Sequence, residues 1–138
     1  MKLFEPPQSE HGTPFWDATR EERLVIPYSV GTGTPFWYPR EVAPDTLEPA
    51  VEWREASGEG TVYAVSVQHK TGPGRDPADG PYAVALVDLP EGVRIMSNVV
   101  GCDPESVAFG MAVRVTWHPL SDGRNIPMFT PAGEEEPS

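Results

Sequence analysis

The chain has 138 residues, enough for one domain or a small domain with an appendage, and a domain of that size buries roughly two-thirds of its unfolded surface. A net charge of −11 argues against nucleic acid and anionic membranes as partners, because their recognition rests on an excess of Lys and Arg. The one cysteine, Cys102, excludes an intrachain disulfide.

Met1–Gln8 contains no apolar run long enough for a signal peptide or a membrane span, so the cytoplasm is the expected compartment. Residues 1–12 read as extended and irregular. Thr13 then reads as an N-cap, with Pro14 at the first position of a short helix over Pro14–Arg23. Phe15 and Trp16 are adjacent and cannot share one narrow helical stripe, so one is expected to pack inward and the other to face something else. Leu24–Tyr28 reads as a short strand. From Ser29 to Ala50, glycines, threonines and prolines enclose Phe36-Trp37-Tyr38; three consecutive aromatics mark an ordered knot of turns and not a linker. Gly-Thr-Pro-Phe-Trp occurs at 12–16 and again at 33–37, with different flanks, and chance on a biased composition accounts for it better than a repeat architecture.

The longest strand signal is Ser57–Lys70, where Tyr63, Val65 and Val67 alternate with Val62, Ala64 and Ser66. Gly58 and Gly60 mark a bulge or bend. A strand joining Val51–Ala56 to Thr61–Lys70 is expected to bend there and serve both sides of a small closed barrel. Thr71–Gly80 is a loop. Pro81–Leu89 is a strand with Ala83, Ala85 and Val87 on one face and Val84 and Leu86 on the other. Pro90-Glu91-Gly92 turns the chain into an antiparallel strand over Val93–Val100. A helical turn begins at Asp103-Pro104-Glu105. Ala112–His118 comes next as a strand with Val113, Val115 and Trp117 on one face, and Ile126–Phe129 closes the set. A long bent strand, a hairpin, a helical turn and two more strands form the order of the OB fold, a five-stranded Greek-key barrel. The expected fold is therefore mainly β: an N-terminal helix and turn-rich segment over 1–50, the barrel over 51–131, and a disordered acidic tail over 132–138.

Little in the chain suggests catalysis. Cys102 with His118 and Asp103 is the one nucleophilic set the composition allows, and a half-buried cysteine with a strand histidine explains those residues more simply. The three histidines form no metal motif, and Gly72-Pro73-Gly74-Arg75 lacks the Lys-Ser/Thr of a phosphate loop. Tyr63, Phe109 and Trp117 could stack bases on an OB face, but without a basic groove core packing is the better account of them.

The ordered set Pro14-Phe15-Trp16, Arg23-Leu24, Tyr38-Pro39-Arg40, Glu52-Trp53, Ser57–Tyr63, Pro81–Val87, Gly92-Val93-Arg94, Ser97–Gly101 and Gly110–Val113 resembles a known family. Its members are acyl-CoA-associated proteins made of a rubredoxin-like zinc ribbon and an OB fold, first catalogued as a domain of unknown function. The family's ribbon carries Cys-x-x-Cys-Gly, then Tyr/Phe-Pro-Arg, then Cys-Pro-x-Cys, a structural zinc site. Here the same frame reads Ser29-Val30-Gly31-Thr32-Gly33, Tyr38-Pro39-Arg40 and Ala43-Pro44-Asp45-Thr46. The former ligand positions Ser29, Thr32, Ala43 and Thr46 hold no thiolate, so no zinc and no other cofactor is expected. Packing of Phe36, Trp37 and Tyr38 is expected to hold the ribbon instead.

The resemblance implies a non-catalytic accessory subunit that completes a thiolase-like enzyme (acyltransferase, thiolase or steroid side-chain aldolase) or a hydratase acting on acyl-CoA thioesters. The candidate contact residues for that partner, or for acyl-CoA at the shared interface, are Phe15, Trp16, Phe36, Trp37, Tyr38 and Arg40. Internal packing competes equally for Phe36–Tyr38. The alternatives are a stand-alone acyl-CoA-binding module and, further off, an OB-fold nucleic-acid binder.

Overall fold

The computed structural model describes residues 12–37, 51–69 and 80–132. Helix α1 (Thr13–Thr19) leads to strand β1 (Val25–Ser29), and β2 (Val51–Glu55) pairs with β1 in a two-stranded antiparallel sheet. Strands β3 (Glu59–Gln68), β4 (Tyr82–Asp88), β5 (Arg94–Val99), β6 (Ala112–Pro119) and β7 (Asn125–Pro131) close into a barrel in the order β3-β4-β5-β7-β6. A 3-10 turn over Pro104–Ser106 joins β5 to β6. The parallel contact of β5 with β7, Val99 opposite Phe129, is the Greek-key crossover, and the whole is the OB arrangement expected from the strand order.

The inner faces follow the apolar alternation. Ala83, Ala85 and Val87 of β4 point into the barrel, and Val113, Val115 and Trp117 of β6 line its core beside Phe129 and Ile95. On β3 the alternation breaks. The register passes from Val62 opposite Val87 to Ala64 opposite Leu86, which leaves Tyr63 as the extra residue of a bulge. Residues opposite each other in an antiparallel pair share a face. Val62, Val65 and Val67 therefore stand on the inner face opposite Val87, Ala85 and Ala83, and Tyr63 points out. This corrects the strict alternation that grouped Tyr63 with Val65 and Val67, and it puts the bulge after the glycines and not at them.

The continuous strand expected over Val51–Lys70 is two strands. All five residues of β1 are buried, and β2 is the partner that satisfies its backbone, from Val25 opposite Glu55 to Ser29 opposite Val51. The three residues between β2 and β3 are fastened on several sides. Ala56 N–H donates to Leu24 O (2.7 Å), Ser57 N–H to Glu91 Oε2 (2.9 Å), and Val115 N–H to Gly58 O (2.6 Å). Gly58 has φ +88°, and a Cβ there would lie 2.9 Å from Val115 Cγ1. Beyond this junction β3 does serve both sides of the barrel: Glu59–Thr61 pair with β6 and Thr61–Gln68 with β4.

Helix α1 ends at Thr19, short of the expected Arg23, because the chain turns on Glu22 at φ +57° and Arg23 N–H bonds back to Ala18 O at 3.0 Å. Its N-cap is Gly12, not Thr13, with Pro14 inside the first turn. The Pro90-Glu91-Gly92 turn is closed by Leu89 N–H to Val93 O (2.9 Å) and Gly92 N–H to Leu89 O (3.0 Å). The loop expected over Thr71–Gly80, all but its last residue, and the tail beyond 132 lie outside the described residues, as do residues 1–11 and 38–50.

Candidate functional site

Two groups of aromatic side chains carry the surface chemistry, and the fold treats them in opposite ways. The first lies where α1 and the turn after β1 meet the barrel. Phe15 is 6% exposed and Phe36 8%, so both belong to the core. Their chain neighbours Trp16 and Trp37 are half-buried at its edge. Phe15 packs edge-on against Trp16 (centroids 5.0 Å apart) and against Trp37 (5.4 Å), contacts worth roughly 0.5–1.5 kcal/mol each beyond area burial. The two Gly-Thr-Pro-Phe-Trp copies thus converge on one cluster from a helix and from a turn, and in each copy Phe goes in while Trp stays at the rim.

Trp16 does not face outward freely. The Arg124 guanidinium lies 4.8 Å from its ring centroid and is itself only 4% exposed. Arg124 Nε donates to Asp122 Oδ2 at 2.8 Å, and Arg124 N–H donates to Asp122 Oδ1 at 3.1 Å. These bonds, the backbone one foremost, hold the Asp122 carboxyl below its ordinary range. Asn125 Nδ2 donates to Thr19 O (2.7 Å), Asn125 N–H to Thr19 Oγ1 (3.2 Å), and Arg20 donates to Asp122 O (2.6 Å). The helix is therefore stitched to the β6–β7 turn. Of the contact residues proposed from sequence, Phe15 and Phe36 are interior, Trp16 and Trp37 reach the edge, and Tyr38 and Arg40 lie outside the described residues.

The segment with Ser29 and Thr32 forms a tight turn. Gly33 N–H donates to Ser29 O (2.7 Å), Ser29 N–H to Thr34 O (2.8 Å), and Phe36 N–H to Pro27 O (3.0 Å). Ser29 Oγ is buried without a hydrogen-bond partner, and Thr32 is exposed, its Oγ1 accepting from Thr34 N–H at 3.3 Å. One orphaned hydroxyl and one exposed hydroxyl, with alanine at position 43, do not fit a tetrahedral zinc site. Ala43 and Thr46 lie outside the described residues, and among those described no group of three or more His, Cys, Asp or Glu side chains could hold a metal.

The second group is on the outer face of β3, β4 and β5. Tyr63, thrown outward by the bulge, is 45% exposed, Met96 60% and Phe109 77%. Arg94 lies 3.5 Å from the Tyr63 ring centroid, and its Nε and Nη2 both reach the Asp88 carboxylate (2.6 and 3.3 Å). That bidentate bond raises the guanidinium above its ordinary value. Tyr63 and Phe109 meet edge-on at 6.3 Å. Core packing, the reading preferred from sequence, holds for Trp117 and fails for Tyr63 and Phe109. The bulge that exposes Tyr63 leaves no mark in the periodicity, so the sequence offers Tyr63 and Phe109 as stacking groups without deciding between that face and the core.

Asp103 Oδ1 accepts from Glu105 N–H (3.0 Å), which fastens it to its own 3-10 turn, and Cys102 is half-buried. An open depression of about 730 Å³ beside β3, β4 and β6 is lined by two carboxylates, Glu59 and Asp88, against one guanidinium, Arg114. That balance is the wrong sign for a polyphosphate headgroup.

The family model described as "ChsH2, C-terminal OB-fold domain" matches residues 53–118. The chain is 34% identical over 125 residues to a "Probable enoyl-CoA hydratase alpha subunit" of Thermomonospora curvata, covering 90% of this chain and 39% of that relative. It is 33% identical over 92 residues to a "DUF35 domain-containing scaffold protein" of Methanothermobacter thermautotrophicus, covering 65% of this chain and 68% of the relative. Among solved structures it superposes on a chain of the "Ltp2-ChsH2(DUF35) aldolase" with TM-score 0.81 and 30% identity, over 92% of this chain and 98% of that one. The chain spans less than two-fifths of the length of the hydratase alpha subunits it matches, 39% and 38%.

Proposed function

The chain belongs to the DUF35 family, and on that footing we propose that it is a non-catalytic accessory subunit of a thiolase-like enzyme acting on acyl-CoA thioesters. One observation carries the reading. This chain superposes over 92% of its length on 98% of a chain of the "Ltp2-ChsH2(DUF35) aldolase", with TM-score 0.81. In this reading the half-buried Trp16 and Trp37 contact such a partner, and acyl-CoA lies at the shared interface, where the partner supplies the cations this acidic chain lacks.

The chain works without zinc in this reading. Metal analysis of the purified protein is expected to find less than a tenth of an equivalent, and a stoichiometric value would overturn that part. No helix among the described residues is long and apolar enough to cross a membrane. Gel filtration of the full chain mixed with the thiolase-like protein encoded beside it is expected to give one co-eluting complex. Turnover of an acyl-CoA by the isolated chain would refute the accessory role.

A further inference from the structure

The exposure of Tyr63, Met96 and Phe109 is built into the backbone. A bulge lifts Tyr63 out of the β3–β4 ladder. The Phe109 loop is tied to the same point of β3: Gly110 N–H donates to Val62 O (2.8 Å), Val62 N–H to Met111 O (2.9 Å), and Met111 N–H to Ala108 O (3.1 Å). Gly110, at φ +85°, makes the turn that leaves Phe109 outward. Arg94 is held over Tyr63 by two bonds to Asp88. Met96 extends the patch from its place opposite Leu86 on the next strand. Side chains already fixed in place lose little freedom on binding, and aromatics with arginine are the usual anchors of interfaces.

The charge selects the occupant. The chain carries −11, and the carboxylates near the patch in chain and register include Glu59, Asp88, Glu91, Asp103 and Glu105, faced among the described residues by Arg94, Arg114 and His69. A second copy would bring the same charge against itself, and a nucleic acid would be repelled. Resting on the accessory-subunit reading, we infer that this face of the barrel docks the catalytic subunit through an apolar cleft rimmed by Lys and Arg, with Phe109 and Met96 as the inserted side chains and the Tyr63–Arg94 stack beside them.

The test uses the full chain and the thiolase-like protein encoded beside it, with affinity read by titration calorimetry and folding by thermal melts. Phe109→Asp and Met96→Glu are each expected to weaken binding at least tenfold while the melting temperature stays within a few degrees of wild type. Tyr63→Ala gives a smaller loss, and raising the salt slows association of the wild type. Wild-type binding that survives both charge substitutions within twofold overturns this surface and leaves the accessory role standing. Failure of the wild type to bind overturns both. A wild-type chain that is dimeric alone and becomes monomeric with Phe109→Asp identifies a second copy as the occupant, which also overturns the inference.

Discussion

Two aromatic–arginine pairs use the same chemistry toward different ends. At the helix–turn contact, Arg124 covers Trp16 and is almost wholly buried, with Phe15 and Phe36 beneath. On the barrel's outer face, Arg94 lies on Tyr63 in the open, beside an exposed Phe109. The first cluster joins the turn after β1 to the helix and the core. The second leaves its rings open to solvent. Composition alone does not separate a structural aromatic from a recognition aromatic; what separates them is whether the neighbouring backbone closes over the ring or lifts it away.

The largest expected effect tests that division directly. Phe15→Ala or Phe36→Ala should cost about 3–5 kcal/mol in urea unfolding, whereas Phe109→Ala should change stability by less than about 0.5 kcal/mol. Equal costs on the two sides would abolish the distinction. Asn125→Ala removes one of the two bonds to Thr19 O, which still accepts from Glu22 N–H (2.9 Å), so it should cost about 0.5–1.5 kcal/mol, with faster amide exchange in α1 as the second readout. Ser29→Ala deletes a buried hydroxyl with no partner, so it should be neutral or stabilise by up to about 1 kcal/mol; a clear loss would mean that the hydroxyl is bonded in solution.

The smallest effect concerns pH. Asp122 titrates below its ordinary range in the folded chain, so its contribution is complete above roughly pH 4 and is lost as the pH falls through the depressed folded value. Asp122→Asn should flatten the stability profile below that point, by an amount kept small by the exposure of the carboxylate. An unchanged profile would show that Asp122 does not help to hold the helix to the turn.

The barrel was legible because its strands alternate. Ala83, Ala85 and Val87, and Val113, Val115 and Trp117, each separated inside from outside by spacing alone. The break between β2 and β3 was not legible, since Val51–Glu55 is as strand-like as Glu59–Gln68 and its choice of β1 over the barrel depends on contacts far away in sequence. The same holds for the covering of Trp16 by Arg124, and for the bulge at Tyr63, where one unpaired residue reverses the facing of its neighbours without altering their composition. Replacement of the thiolates could be read from the chain. That Phe15 and Phe36 would turn inward, leaving the tryptophans at the rim, could not.

The junction between the two sheets has a mechanical implication. Ala56–Gly58 is tied to the segment before β1, to the β4–β5 turn and to β6, and Gly58 lies too close to Val115 to accept even a methyl group. A connection so restrained transmits torque instead of absorbing it. Whatever fixes the orientation of the barrel therefore also fixes that of the β1–β2 sheet.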